Sequence, residues 1–189
     1  YSEFLQQVDE AFAHVIGIEN VDQNVAHHGV TVSTLSIALA KKLNITDPKQ
    51  LQMLTLGSLL HDFDHFHNGL NIARPVSQFT KEEMEIFKKH PSEGGRRVQD
   101  KKHFDTPVIN IIVQHEEMIN GSGFPQGLKE NKIDPLALIC GTSNALDRLM
   151  TFEAIERKEA MKNLMINGLG KYPLSHLQGL AAIINNMKI

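Results

Sequence analysis

The chain lacks tryptophan entirely and has only two tyrosines and one cysteine among 189 residues. A single cysteine excludes an internal disulfide. Cys140 follows the apolar run Leu136, Ala137, Leu138 and Ile139, where a small buried thiol is expected. Long hydrophobic runs are also missing, because polar residues break every apolar stretch well short of a membrane span. No signal peptide is visible, so the expected setting is reducing and cytoplasmic, without a membrane. Neither charge sign dominates: 19 Lys and Arg face 22 Asp and Glu, for a net charge of −3. That balance gives no basic tail, and DNA is not an expected partner. Sustained strand alternation between hairpin turns, internal repeats and low-complexity segments are absent too. The length suits one well-buried domain. The first residue is Tyr1, which reads as the start of a fragment of a longer protein.

Helical spacing fills most of the sequence. Residues 2–15 carry Phe4, Leu5, Val8, Phe12 and Val15 along one side, closed by Ile16, Gly17 and Ile18. Residues 21–43 predict a long amphipathic helix with His28 on or near its buried stripe. Asp47 and Pro48 suit an N-cap and a first turn, opening a helix that runs to His61 and Asp62. Residues 63–78 read as irregular. Thr80 and Glu83 form a capping box. The helix it opens is expected to end at Lys88, Lys89, His90 and Pro91, because proline disfavours helical geometry at the residue before it. A further helix follows over 92–100. Asp105, Thr106 and Pro107 repeat the cap-plus-proline signal before a helix over 108–117. Residues 120–127 are a glycine loop. Asp134 and Pro135 start a helix through Leu149, and 156–189 give two helices separated by 168–173. The expected fold is all-α, one bundle-like domain with its core over about 21–152 and closing helices over about 153–189.

Histidine is what the chain has in plenty, with ten residues, several beside acids. His28, the pair His61 and Asp62, His90, and His115 with Glu116 and Glu117 fall on buried stripes or helix ends. Asn144 and Asp147 lie on the helix after the glycine loop. Helices arranged around one cavity would pool imidazoles and carboxylates. Such mixed nitrogen and oxygen donors suit iron, manganese or zinc better than calcium. A carboxylate such as Asp62 would bridge two ions, and two ions close together activate water and clamp a phosphodiester. Taken singly each residue says little. An adjacent His and Asp are common, one of His27 and His28 is expected to be exposed, and His65 and His67 fall on a solvated loop. His14, His103 and His176 lack supporting context, and the glycine loop would serve as an ordinary connector.

In combination these residues resemble a known family. His28, His61-Asp62, the run Lys88-Lys89-His90-Pro91, the run from Gln114 to Pro125 and the run Ile133-Asp134-Pro135-Leu136-Ala137 occur in the order of the HD-GYP family, a branch of the HD-domain metal-dependent phosphohydrolases. The resemblance covers about residues 24–149, with a tail like the family's closing helices. It implies an HD-domain helical bundle and hydrolysis of the bacterial messenger cyclic di-GMP to pGpG or GMP. It also implies one or two divalent ions here, iron or manganese ahead of zinc. His28, His61, Asp62, His90 and His115 match metal ligands, with Asp62 bridging. Gly121, Gly123, Phe124 and Pro125 match the signature beside the substrate, which also contacts partner signalling domains. A homodimer is a further expectation for a signalling domain, as is a regulatory domain in the missing sequence.

Five positions depart from the family. Glu116 stands for a paired histidine and keeps an oxygen ligand. Asn144 stands for an aspartate ligand and offers a neutral amide. His65 stands for a lysine that assists at the phosphate, so His65 joins Asp62 as the expected catalytic pair. Phe124 stands for the signature tyrosine and keeps a ring for stacking. Asn24 stands where members with a third metal carry glutamate, so no third ion is expected. These changes leave open a second function, a degenerate non-catalytic module that binds a nucleotide or a partner protein.

Overall fold

The computed structural model describes residues 23–99 and 104–187. The expected helix over 2–15, its closing residues 16–18 and both His14 and His103 lie outside the described residues. The first described helix, α1, spans Gln23–Lys42 and buries His28, Val32, Leu35 and Leu39 along one stripe. Helix α2 is Pro48–Leu60. The Asp47 side chain accepts from the Lys49 N–H, and Pro48 occupies a first-turn position that needs no intrahelical donor. The same device recurs at Asp134, which accepts from the Leu136 N–H at 2.9 Å ahead of Pro135. The capping box is also present. Thr80 Oγ1 accepts from the Glu83 N–H, and Glu83 Oε1 accepts from the Thr80 N–H, both at 3.1 Å.

Four local expectations are corrected. Residues 63–78 are not irregular throughout, since a short helix, α3, spans His65–Asn68 and a 3-10 turn spans Val76–Gln78. Helix α4, Lys81–Gln99, runs straight through Pro91 instead of ending there. Packing overrides the local preference, because His90, Pro91, Gly94, Gly95 and Val98 are all buried by neighbours. Helix α5, Thr106–Gln114, stops short of Glu116 and Glu117, which stand on the turn beyond it. Its Asp105 lies 3.4 Å from Lys49 Nζ and does not cap with its side chain.

Helix α6, Pro135–Asp147, continues into a π-helical turn over Arg148–Phe152. The tail gives α7, Arg157–Asn167, and α8, Leu174–Asn186, on either side of the expected loop. Among the described residues there is no strand, only isolated bridges such as Asn120 with Lys129, which closes the glycine loop. The main core joins Leu39 of α1, Leu54 of α2, Ile111 of α5, Ile139 and Leu146 of α6, and Leu177 and Leu180 of α8. Each such side chain contributes about 1.5–3 kcal/mol on leaving water. Among the described residues no helix is long and apolar enough to cross a membrane.

Two glycines set how close the site-bearing helices come. A Cβ on Gly29, next to His28, would lie 2.8 Å from the Leu59 carbonyl oxygen of α2. One on Gly141 of α6 would lie 2.6 Å from the His115 carbonyl oxygen. Both contacts are with backbone, which cannot swing aside. Any larger residue would push a ligand-bearing element outward.

Candidate metal centre

Four imidazoles meet at one carboxylate. His28, His61, His90 and His115 come from α1, α4 and the C-terminal ends of α2 and α5, and all are buried. Each has its ring orientation set through Nδ1. His61 Nδ1 lies 2.6 Å from the Ser58 carbonyl, and His115 Nδ1 lies 2.8 Å from that of Ile112. His90 Nδ1 bonds the Phe87 carbonyl. That carbonyl is free because Pro91, four residues on, has no N–H to offer it. His28 Nδ1 donates to Asp147 Oδ2 at 2.6 Å. Carbonyls only accept, so these nitrogens carry protons and every Nε2 turns inward. Fixing the outer nitrogen in this way is how proteins aim ligand histidines.

The inward nitrogens form two pairs. His28 and His61 Nε2 are 3.1 Å apart, and His90 and His115 Nε2 are 3.0 Å apart. Asp62 lies between the pairs. Its Oδ2 is 3.3 Å from His28 and 3.5 Å from His61, and its Oδ1 is 3.1 Å from His90 and 3.2 Å from His115. Both oxygens are buried and accept no hydrogen bond. A buried carboxylate without donors is costly unless a cation completes it. Ligands sharing one ion at about 2.0–2.2 Å stand roughly 2.8–3.6 Å apart, the spacing seen in both pairs. The donor chemistry therefore fits divalent ions, which His28 and His61 on one side and His90 and His115 on the other would hold together with Asp62.

The two weaker donors also converge. Glu116 Oε1 is 3.6 Å from His115 Nε2 and 3.9 Å from His90 Nε2. Asn144 Oδ1 is 2.8 Å from His28 Nε2 and 3.2 Å from His61 Nε2. Its amide nitrogen donates to Glu116 Oε1 at 3.1 Å, which turns the oxygen toward the first pair. Burial alone would lower His28, but its hydrogen bond to Asp147 and the close negative charge of Asp62 outweigh that and raise it to about 9. Burial is overcome at His115 in the same way by Asp62 and Glu116, which raise it. Burial drives His61 down to about 3. Burial would raise Asp62, yet the surrounding imidazoles, His61 foremost, hold it well below the carboxylate range. Each half of the centre thus contains one histidine whose charged form its carboxylate neighbours favour.

His65 is not on a solvated loop. It is buried at the start of α3, its ring 4.3 Å from His90 and stacked with Phe87, while His67 is exposed. Its protonation is opposite to that of the ligands. Asn68 Oδ1 accepts from the Leu70 N–H at 3.0 Å, and Asn68 Nδ2 donates to Asp64 Oδ2 at 3.2 Å. That orientation presents Nδ2 to His65 Nδ1 at 3.1 Å. The amide nitrogen is the nearer group, with Oδ1 at 3.4 Å, so Nδ1 accepts from it and the ring proton sits on Nε2. This nitrogen lies 4.0 Å from Asp62 Oδ1, buried and without a partner. Burial, then the charge of His90, lowers His65 to about 3. Near neutral pH it is an uncharged N–H donor.

The glycine loop closes over one side of the centre. Phe124 packs its ring 5.5 Å from Phe87 and 6.2 Å from His90, with Gly121, Gly123 and Pro125 half-buried around it. Glu117 anchors the loop. Its buried carboxylate accepts from the Gln126 N–H at 2.7 Å and the Leu128 N–H at 2.9 Å. Sequence reasoning placed Glu117 and Asp147 among the pooled carboxylates but gave neither its anchoring role. For Asp147 a signal existed, the three-residue spacing that puts it on the Asn144 face of α6. His176 is buried near Thr142, away from the centre, and Cys140 is a buried free thiol that burial pushes upward.

A cyclic di-GMP phosphodiesterase of Pseudomonas aeruginosa is 28% identical over 139 residues, covering 74% of this chain and 33% of its own. The cyclic di-GMP phosphodiesterase PdeB of Borreliella burgdorferi is 23% identical over 130 residues, covering 69% of this chain and 34% of its own. The chain spans about a third of the length of these curated relatives. Among solved structures, the HDG"Y"P protein Bd1817 from Bdellovibrio bacteriovorus superposes with a TM-score of 0.82 at 57% identity, covering 91% of this chain and 56% of that one. The sequence model described as HD domain matches residues 16–172, most of the length, and the chain belongs to the HD domain family.

Proposed function

We propose that this chain is a metal-dependent phosphodiesterase domain that hydrolyses cyclic di-GMP to pGpG or GMP. Relatives named for that activity support the substrate class. The observation that carries the reading is Asp62, whose two donor-free oxygens each face a separate pair of imidazole nitrogens. His28, His61, Asn144 and one Asp62 oxygen would hold one ion, and His90, His115, Glu116 and the other oxygen a second. Iron or manganese suits this donor set first, and zinc after them. Bound divalent ions supply an activated water and offset the charge that builds on the phosphoryl oxygens. The chain's own residues do the rest. The Nδ1 anchors keep four imidazoles aimed inward. His65 offers its Nε2–H to a phosphoryl or leaving oxygen, orienting it without adding charge. Phe124, held by Gly121, Gly123 and Pro125, offers a ring face on which a guanine stacks.

The test is metal counting and turnover on purified protein supplied with iron or manganese. About two ions per chain and conversion of cyclic di-GMP are expected. Asp62→Ala should lose both ions and slow turnover by at least about 1000-fold, roughly 4 kcal/mol of barrier. Fewer than one ion per wild-type chain, or unchanged hydrolysis in Asp62→Ala, overturns the proposal. A full complement of metal without turnover identifies the non-catalytic module instead.

A further inference from the structure

Apart from serine hydroxyls, the buried side-chain atoms near the centre that find no partner among the described residues fall into two chemical kinds. The Asp62 oxygens are acceptors awaiting cations. His65 Nε2 and Arg148 Nη1 are donors. Arg148 opens the π-helical turn directly after Asp147, the anchor of His28. Its guanidinium carbon lies 5.1 Å from the centre of the Phe87 ring and 5.2 Å from that of Phe152. Each of those rings touches one half of the centre, Phe87 at 5.0 Å from His90 and Phe152 at 4.9 Å from His28. The guanidinium is thus one aromatic ring away from both ligand pairs. Its charge also reaches His65, where it helps to hold the imidazole neutral.

Nothing among the described residues neutralises it. No carboxylate lies within ion-pair distance of Arg148, whereas its neighbour Arg74 is committed to Glu83 and to the Asn71 and Gln78 carbonyls. Ring faces stabilise a guanidinium only in part and leave its N–H groups unsatisfied. A half-buried cation with an idle donor is a liability to the fold unless an anion completes it. A cavity of about 160 Å³ adjoins it, lined by Arg74, Ser77, Arg148, Phe152 and Glu153. Glu153 is exposed, so the buried charge facing this space is that of Arg148.

We propose that Arg148 and its cavity form an anion subsite beside the metal centre, which takes a phosphate oxygen of the substrate. The planar fork of a guanidinium suits two oxygens of one phosphate, and stacking between Phe87 and Phe152 holds it ready. Helix α6 and its π turn then serve both parts of the site, with Asp147 steadying a metal ligand and Arg148 the phosphate. This deepens the phosphodiesterase reading and rests on it for the substrate class.

The experiment is calorimetric titration of the metal-loaded protein with inorganic phosphate, which requires no turnover. Arg148→Met keeps length and apolar packing, and should retain the wild-type metal content while binding phosphate at least tenfold more weakly. Phosphate affinity within twofold of wild type in that variant overturns the subsite, as does a wild-type protein that binds no phosphate. Should Arg148→Met fail to fold, Arg148→Gln keeps a donor without the charge and is held to the same criterion. If cyclic di-GMP is not hydrolysed but phosphate binding depends on Arg148, the subsite stands and only the assigned substrate falls.

Discussion

The two halves of the centre share Asp62 but are built differently. The His28–His61 half is closed off, completed by the neutral amide of Asn144 and backed by Asp147. The His90–His115 half takes both Nδ1 anchors from its own helices' carbonyls and adds Glu116, which is partly exposed. One half is thus poorer in negative charge at the ions and richer in support behind them. The contrast teaches that equal numbers of histidines need not mean equal affinity. The Glu116 half should fill first, and the Asn144 half should set whether the centre is complete.

Removing one ligand from each half breaks this comparison most severely. His115→Ala should empty the Glu116 half, and with it the tighter ion, leaving at most about one ion per chain by elemental analysis. His28→Ala should empty only the weaker half. Equal residual affinity in the two variants would remove the asymmetry. Asn144→Asp should sharpen the contrast from the other side. An added charged oxygen at that position should raise affinity for the second ion by about tenfold or more, near 1.4 kcal/mol, read by competition with a chelator.

Protonation gives a third contrast, in the metal-free protein. His28 is raised to about 9, so its contribution to stability is full below the unfolded value near 6.5 and is lost as pH rises toward 9. His61 and His65 are lowered to about 3, so the folded state loses stability as pH falls from 6.5 toward 3. Each group contributes up to about 1.4 kcal/mol per pH unit in its window. The melting temperature should therefore peak near pH 6.5 and fall on both sides. A profile that rises steadily with pH would contradict the His28 assignment. The smallest effect is a control outside both halves. Thr80→Ala removes one side of the capping box and should cost about 1 kcal/mol of stability without changing metal content.

Helix starts were legible in the sequence because their chemistry is local. Asp47 with Pro48, Asp134 with Pro135, and Thr80 with Glu83 each act within a few residues. The HD-domain helical bundle and the convergence of the expected metal residues followed from the ordered motifs more than from any single spacing. What stayed hidden depends on distant partners. His28 and Asp147 are 119 positions apart, and the spacing that puts Asp147 on the Asn144 face does not say which histidine it anchors. Glu117 was hidden because it bonds backbone of a loop that begins after it. The break expected at Pro91 was wrong for the same reason, since a preference of one residue yields to the burial of a whole helix face.

The order of His90 and Pro91 has a consequence beyond this fold. A helix normally spends every interior carbonyl on its own ladder, leaving none to steer a side chain. Placing proline directly after histidine frees one acceptor on the preceding turn, within the histidine's reach, at a location set by sequence alone. The dipeptide is therefore a self-contained pointing device. It aims its imidazole from within one helix, provided that burial of the helix face keeps that helix unbroken across the proline.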